Sequence, residues 1–172
     1  MKGSEIVKVM GKQSILELIA CLQEQANVRL ALFQKIILSE IGSVETLLNI
    51  LVPQLEFTVV RQVPKPDDTF FRESVFKNGF TEKIMLSTET TIFCSNLPQE
   101  LFKDIIEAKE GIGSAIQKHK FESRREILYL EYDESNKKLS RVYDLIINNK
   151  LCFRIREVVP TKNWKDICKG IE

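Results

Sequence analysis

The chain has 172 residues, 44% hydrophobic and 28% charged, the balance of one globular domain with a single core. Its 25 Lys and Arg against 24 Asp and Glu leave a net charge of +1, which argues against nucleic acid or an anionic membrane as a bulk electrostatic partner. The start "MKGSEIVKVMGKQS" is too polar for a signal peptide and no apolar run approaches ~18 residues, so a soluble, cytoplasmic monomer or homodimer is expected.

Helical period comes first. Between Ser14 and Glu40, Ile15, Leu18, Ile19 and Leu22, then Leu30, Phe33, Ile36 and Ile37, recur at three- and four-residue spacings. They predict two helices broken near Asn27, or one bent helix. In "IGSVETLLNIL", Gly42 breaks, Ser43 caps, and Val44, Leu47, Leu48 and Leu51 form a short amphipathic helix that Pro53 ends.

From Leu55 the period becomes two. "LEFTVVRQV" is a strand and "PKPDD" a turn; "TFFRESVF", the turn "KNG" and "FTEKIMLSTETTIFC" read as a hairpin. Asn96 and Pro98 open the helix "PQELFKDIIEAKE", and "GIGSAIQKHK" is a glycine-punctuated turn into another. "REILYLEYD", "LSRVYDLII" and "LCFRIREVV", joined by "ESNKK" and "NNK", form a three-stranded meander. The fold class is therefore α+β: a mainly antiparallel sheet of about six strands, with helices on one face, in a single domain over 1–172.

Cys21, Cys94, Cys152 and Cys168 form no C-x-x-C pair, and His119 is the only histidine. Reduced core thiols are the reading, with no metal site. The densest basic cluster, "QKHKFESRR" from Gln117 to Arg125, contains a glutamate and reads as a solvated edge.

Strand alternation raises one question. In "LCFRIREVVP", Leu151, Phe153, Ile155, Glu157 and Val159 share a face, so a carboxylate stands where the pattern marks the interior. An enclosed carboxylate needs a cation or a polar cavity. In "TFFRESVF", Arg72 shares a face with Phe70, Ser74 and Phe76, and arginine holds carboxylates through two parallel hydrogen bonds. Periodicity leaves three readings open: an Arg72–Glu157 ion pair, an acid at a strand that is leaving the core, or a pocket for an anionic ligand. "EGIGSAI" could present the amides of Ile112 and Gly113 to an anion, and "GSVETLL" those of Val44 and Glu45. Each alone is equally well a turn or an ordinary cap.

The order of these pieces resembles the chorismate pyruvate-lyase family, in particular its small prokaryotic branch. The resemblance spans residues 36–160 and rests on "GSVETLL", "LEFTVVRQ", "FRESVF", "STETTIFCSNLP", "EGIGSAI", "ESRRE" and "SRVYDLIINNKLCFRIREVVP". It implies an antiparallel sheet enclosing a ligand under helical flaps, and a cofactor-independent lyase that releases pyruvate from chorismate to leave 4-hydroxybenzoate. Arg72 then corresponds to the carboxylate-binding arginine, the backbone amides of Ile112 and Val44 complete that subsite, and Glu157 is the active-site carboxylate beside the ring hydroxyl. Better-studied members carry a second arginine at the start of a later strand, where this chain has Glu89. The same fold also serves as a non-catalytic small-molecule sensor, which is the competing function; a fold that has lost its ligand is the third.

Overall fold

The computed structural model describes residues 6–11 and 13–164; Cys168 lies outside them. A strand, β1 (Ile6–Met10), precedes three helices, α1 (Ile15–Gln25), α2 (Leu32–Ser39) and α3 (Val44–Leu51). Ser14 caps α1: its hydroxyl accepts from the Glu17 amide, and the Glu17 carboxylate accepts from the Ser14 amide at 2.9 Å. The expected break falls at Asn27, whose φ of 48° lies in the left-handed region. Ser43 caps α3 by accepting from the Thr46 amide at 3.3 Å.

There follow β2 (Leu55–Lys65), β3 (Thr69–Asn78), β4 (Ile84–Phe93), α4 (Gln99–Glu107), α5 (Ile112–His119), β5 (Ser123–Asp133), β6 (Lys138–Ile147) and β7 (Lys150–Pro160). The start of α4 differs from expectation. Pro98 holds the N-cap position, and the Asn96 side chain instead donates to the Leu151 carbonyl at 2.8 Å, tying this turn to β7. Between β6 and β7, Asn148 and Asn149 have φ of 50° and 60°; two successive left-handed residues give the tight hairpin whose twist matches its strands.

All seven strands form one antiparallel sheet in the order β1-β5-β6-β7-β4-β3-β2. The expected count was about six, and the additional strand is β1. Five residues carry too little alternation to announce a strand; β1 exists by pairing along β5, Ile6 opposite Asp133 through Met10 opposite Tyr129. The β4–β7 pairing sets the β2–β3–β4 meander beside the β5–β6–β7 meander, which brings residues far apart in sequence into one continuous wall.

The helices cover one face, and two apolar clusters hold them there. At one end α1, α2 and α3 (Leu18, Leu22, Phe33, Ile37, Leu48) pack on Phe76, Leu86, Leu130, Leu139 and Val159. Trp164 closes that end: its indole N–H donates to the Met85 carbonyl at 2.9 Å and its ring stacks on Phe33, centroids 5.2 Å apart. At the other end α4 and α5 (Leu101, Ile105, Ala115, Ile116) pack on Ile92, Leu145, Ile147 and Phe153.

Candidate functional site

Between the two clusters the inner face turns polar. Antiparallel register lines up inward side chains of neighbouring strands in rows. One row runs Ser74, Thr88, Glu157, Arg141, and the next Arg72, Thr90, Ile155, Tyr143. The row beyond is Phe70, Ile92, Phe153, Leu145, with Arg125 of β5 opposite Leu145. A band of hydroxyls, two arginines, a tyrosine and a carboxylate thus crosses the middle of an otherwise apolar wall.

Arg72 is 1% exposed. Its Nη2 donates to the Glu110 carbonyl at 2.8 Å, and its guanidinium lies 5.5 Å from the Phe57 ring centroid. The Nε and Nη1 hydrogens have no partner among the described residues. Burial pulls this guanidinium down to about 10, with the charge of Glu45 offsetting part of the effect.

The first turns of α3 and α5 meet above Arg72. Gly111 and Gly113 permit the approach: a Cβ on Gly111 would run into the Glu45 carboxylate, and one on Gly113 would come 3.0 Å from the Ser43 hydroxyl. The Ser114 hydroxyl donates to Glu45 Oε2 at 2.6 Å, pinning the two helices together. Helix first turns carry amides without intrahelical partners and a partial positive charge. Val44, Glu45, Ile112 and Gly113 border one cavity with Arg72.

Glu157, 2% exposed, does face inward, but its cation is not Arg72. The carboxylate accepts from Arg141 Nε at 2.5 Å and from the Tyr143 hydroxyl at 2.8 Å. Thr88, Thr90 and Ile155 occupy the register between the Arg72 and Glu157 positions, so the direct Arg72–Glu157 pair is replaced by an Arg141–Glu157 pair across adjacent strands. Arg141 Nη1 also donates to the Leu38 and Glu40 carbonyls, at 3.0 and 2.5 Å, anchoring the end of α2. Burial works against the Arg141 charge, but Glu157, through its charge and hydrogen bond, together with Tyr143 and Glu40 outweighs it and holds Arg141 above its ordinary value. Burial, with the same neighbouring charge, pushes Tyr143 well above the usual phenol range. The Tyr143 ring lies between two guanidiniums, Arg141 at 5.3 Å and Arg125 at 5.5 Å from its centroid.

Arg141, Tyr143 and Arg125 were not singled out from sequence. The signal for the first two was present: in "LSRVYDL" they alternate with Leu139 and Leu145, so the test that exposed Glu157 applies to β6 as well. Arg125 belongs to the cluster taken as a solvated edge. That reading is corrected here, because Arg125 borders the cavity and donates to the Ile41 carbonyl. Glu89, where a second arginine was expected, points to the opposite face of the sheet, pairing with Arg156 at 3.6 Å. The cavity's further cation comes from β5 instead.

The enclosed space is about 40 Å³, room for a few waters. Its wall also includes Phe57, Phe76, Leu145 and Ile155, so an apolar ring would be surrounded by carbon and an anionic substituent would meet Arg72. Among the described residues no helix is long and apolar enough to cross a membrane.

No family model matches the chain. Among curated proteins it is similar to a Methanocaldococcus jannaschii protein named "Putative lyase", 30% identical over 145 residues, which cover 75% of this chain and 78% of that one.

Proposed function

The chain belongs to the same family as that Methanocaldococcus jannaschii protein, and on this premise we propose that it is a chorismate pyruvate-lyase. The observation that carries the reading is Arg72: a buried guanidinium whose Nε and Nη1 have no partner among the described residues, set under two helix N-termini beside the apolar wall of Phe57, Phe76, Leu145 and Ile155. A buried cation so placed is costly without an anion and well formed for a ring carboxylate.

In this reading Arg72 and the amides of Ile112 and Val44 hold the carboxylate on C1. Phe57, Ile155 and Leu145 enclose the ring, and Glu157 accepts from the 4-hydroxyl with its remaining lone pairs. The C3–O ether bond then breaks, C4 loses its hydrogen as a proton, and the enolpyruvyl methylene gains one, giving 4-hydroxybenzoate and pyruvate. Aromatisation drives the step, so the protein chiefly selects a reactive conformer and stabilises developing charge. Both Glu157 oxygens already accept from Arg141 and Tyr143, which favours an orienting role over proton abstraction. A six-membered ring exceeds the cavity's space, so substrate binding moves part of the lining, which includes the first turns of α3 and α5.

Incubation with chorismate in the presence of a chelator tests this, with products followed by chromatography. Equimolar 4-hydroxybenzoate and pyruvate are expected. Tight binding of 4-hydroxybenzoate with no product above the spontaneous rate would instead establish a small-molecule sensor.

A further inference from the structure

Two carboxylates border the cavity, Glu45 and Glu157. Glu157 is engaged by Arg141 and Tyr143. Glu45 has no role in the reading above, yet it sits at the Arg72 end. It stands in the first turn of α3 and reaches across to the first turn of α5. Its Oε2 accepts from the Ser114 hydroxyl at 2.6 Å, and the same oxygen fills the place where a side chain on Gly111, the N-cap residue of α5, would begin.

Capping of its own helix does not account for this position. Ser43 already caps α3, whereas α5 starts at Gly111 with no side-chain cap of its own. The first turn of α5 therefore takes its negative charge from another helix, at a point where the cavity also holds a cation. Arg72 is 1% exposed, and among the described residues its hydrogen bond goes to the Glu110 carbonyl while Nε and Nη1 have no partner. The two helix first turns above it add roughly half a positive charge each. The Glu110 carboxylate pairs with Lys118 at 3.3 Å, and the charge that offsets the burial of Arg72 is that of Glu45.

A ligand carboxylate on Arg72 enters the same field with the same sign of charge as Glu45. We propose that Glu45 is an intramolecular competitor for the anion subsite: its carboxylate neutralises Arg72 and the first turn of α5 in the ligand-free protein, and the ligand's carboxylate displaces it. Glu45 is half-buried, so rotation about its own side-chain bonds carries the carboxylate out to solvent. Displacement breaks the Ser114 bond that pins α5 to α3 and frees the two first turns that move to admit a ring. Glu45 thus couples recognition of the anion to opening of the cover, and it lowers affinity for any carboxylate held by Arg72, a carboxylate product included.

This assignment rests on the proposed function for the ligand being a ring carboxylate, and its test is separable from that reading. Titration calorimetry with 4-hydroxybenzoate compares wild type, Glu45→Gln and Ser114→Ala. The glutamine keeps an oxygen for the Ser114 hydroxyl and removes the charge; the alanine removes the bond and keeps the charge. Glu45→Gln should bind at least fivefold more tightly than wild type, and Ser114→Ala should gain less than threefold. A smaller gain or a loss in Glu45→Gln would mean that Glu45 only braces the two helices, and would overturn the proposal. So would an equal gain in Ser114→Ala, which would assign the effect to the pin and not to the charge. Tighter binding by Glu45→Gln without turnover of chorismate by wild type would sink the lyase reading and leave the competitor standing. Equimolar products from wild type with no gain in Glu45→Gln would do the reverse.

Discussion

Glu157→Gln perturbs a buried ion pair that the proposed function also places beside the substrate. The change keeps the shape and removes one charge from a pair whose partners are each 2% exposed at the side chain. Breaking a buried pair by altering one partner costs about 3–5 kcal/mol, because the remaining charge is left uncompensated. The amide oxygen of Gln can still accept from Arg141, and Arg141 keeps the Leu38 and Glu40 carbonyls, so the lower end, about 3 kcal/mol, is expected. For a chain of this length each kcal/mol shifts the melting temperature by about 2–4 °C, so the variant should melt about 6–12 °C below wild type by circular dichroism. Turnover measured below that transition should fall about ten- to a thousandfold. The combined Arg141→Met, Glu157→Leu variant removes both charges and should recover at least half of the lost stability while remaining inactive. A single variant melting within about 2 °C of wild type, or a double variant no better than the single, would refute the ion-pair reasoning.

Arg72→Ala should weaken 4-hydroxybenzoate binding at least tenfold by calorimetry, since a charge-assisted contact contributes about 1.5–3 kcal/mol. Its melting temperature should hold or rise, because the substitution removes a buried cation with two unpartnered N–H groups. Burial pulls Arg72 down only to about 10, so the guanidinium stays charged throughout the neutral range, and carboxylate affinity should be level between about pH 6 and 8. Tyr143→Phe removes one of the two donors to Glu157 while leaving the ring between Arg125 and Arg141. Turnover should fall more than 4-hydroxybenzoate affinity, read as a split between kcat and product binding.

Much of this was legible in the chain because periodicity is a local property. The cap at Ser43, the break near Asn27, the hairpins and the inward position of Glu157 all follow from spacing within a few residues. The partner of Glu157 was not, because alternation says which face a side chain takes and nothing about which strand lies alongside. Only the strand order makes β6, rather than β3, the neighbour of β7 on one side, and so selects Arg141 over Arg72. β1 escaped for a related reason: its five residues acquire their form from β5. Arg125 was hidden by composition, since a cluster rich in Lys and Arg resembles a solvated edge until β5 turns one member inward. Asn96 looked like a cap, but the approach of Leu151 across the sheet claimed its amide.

The central claim is that this cavity eliminates pyruvate from chorismate, and a single-turnover experiment with protein in excess over chorismate tests it most directly. The account predicts that wild type converts the substrate to equimolar 4-hydroxybenzoate and pyruvate, and that Arg72→Ala, at equal folded concentration, does so at least tenfold more slowly. Disappearance of chorismate no faster than in protein-free buffer would contradict it.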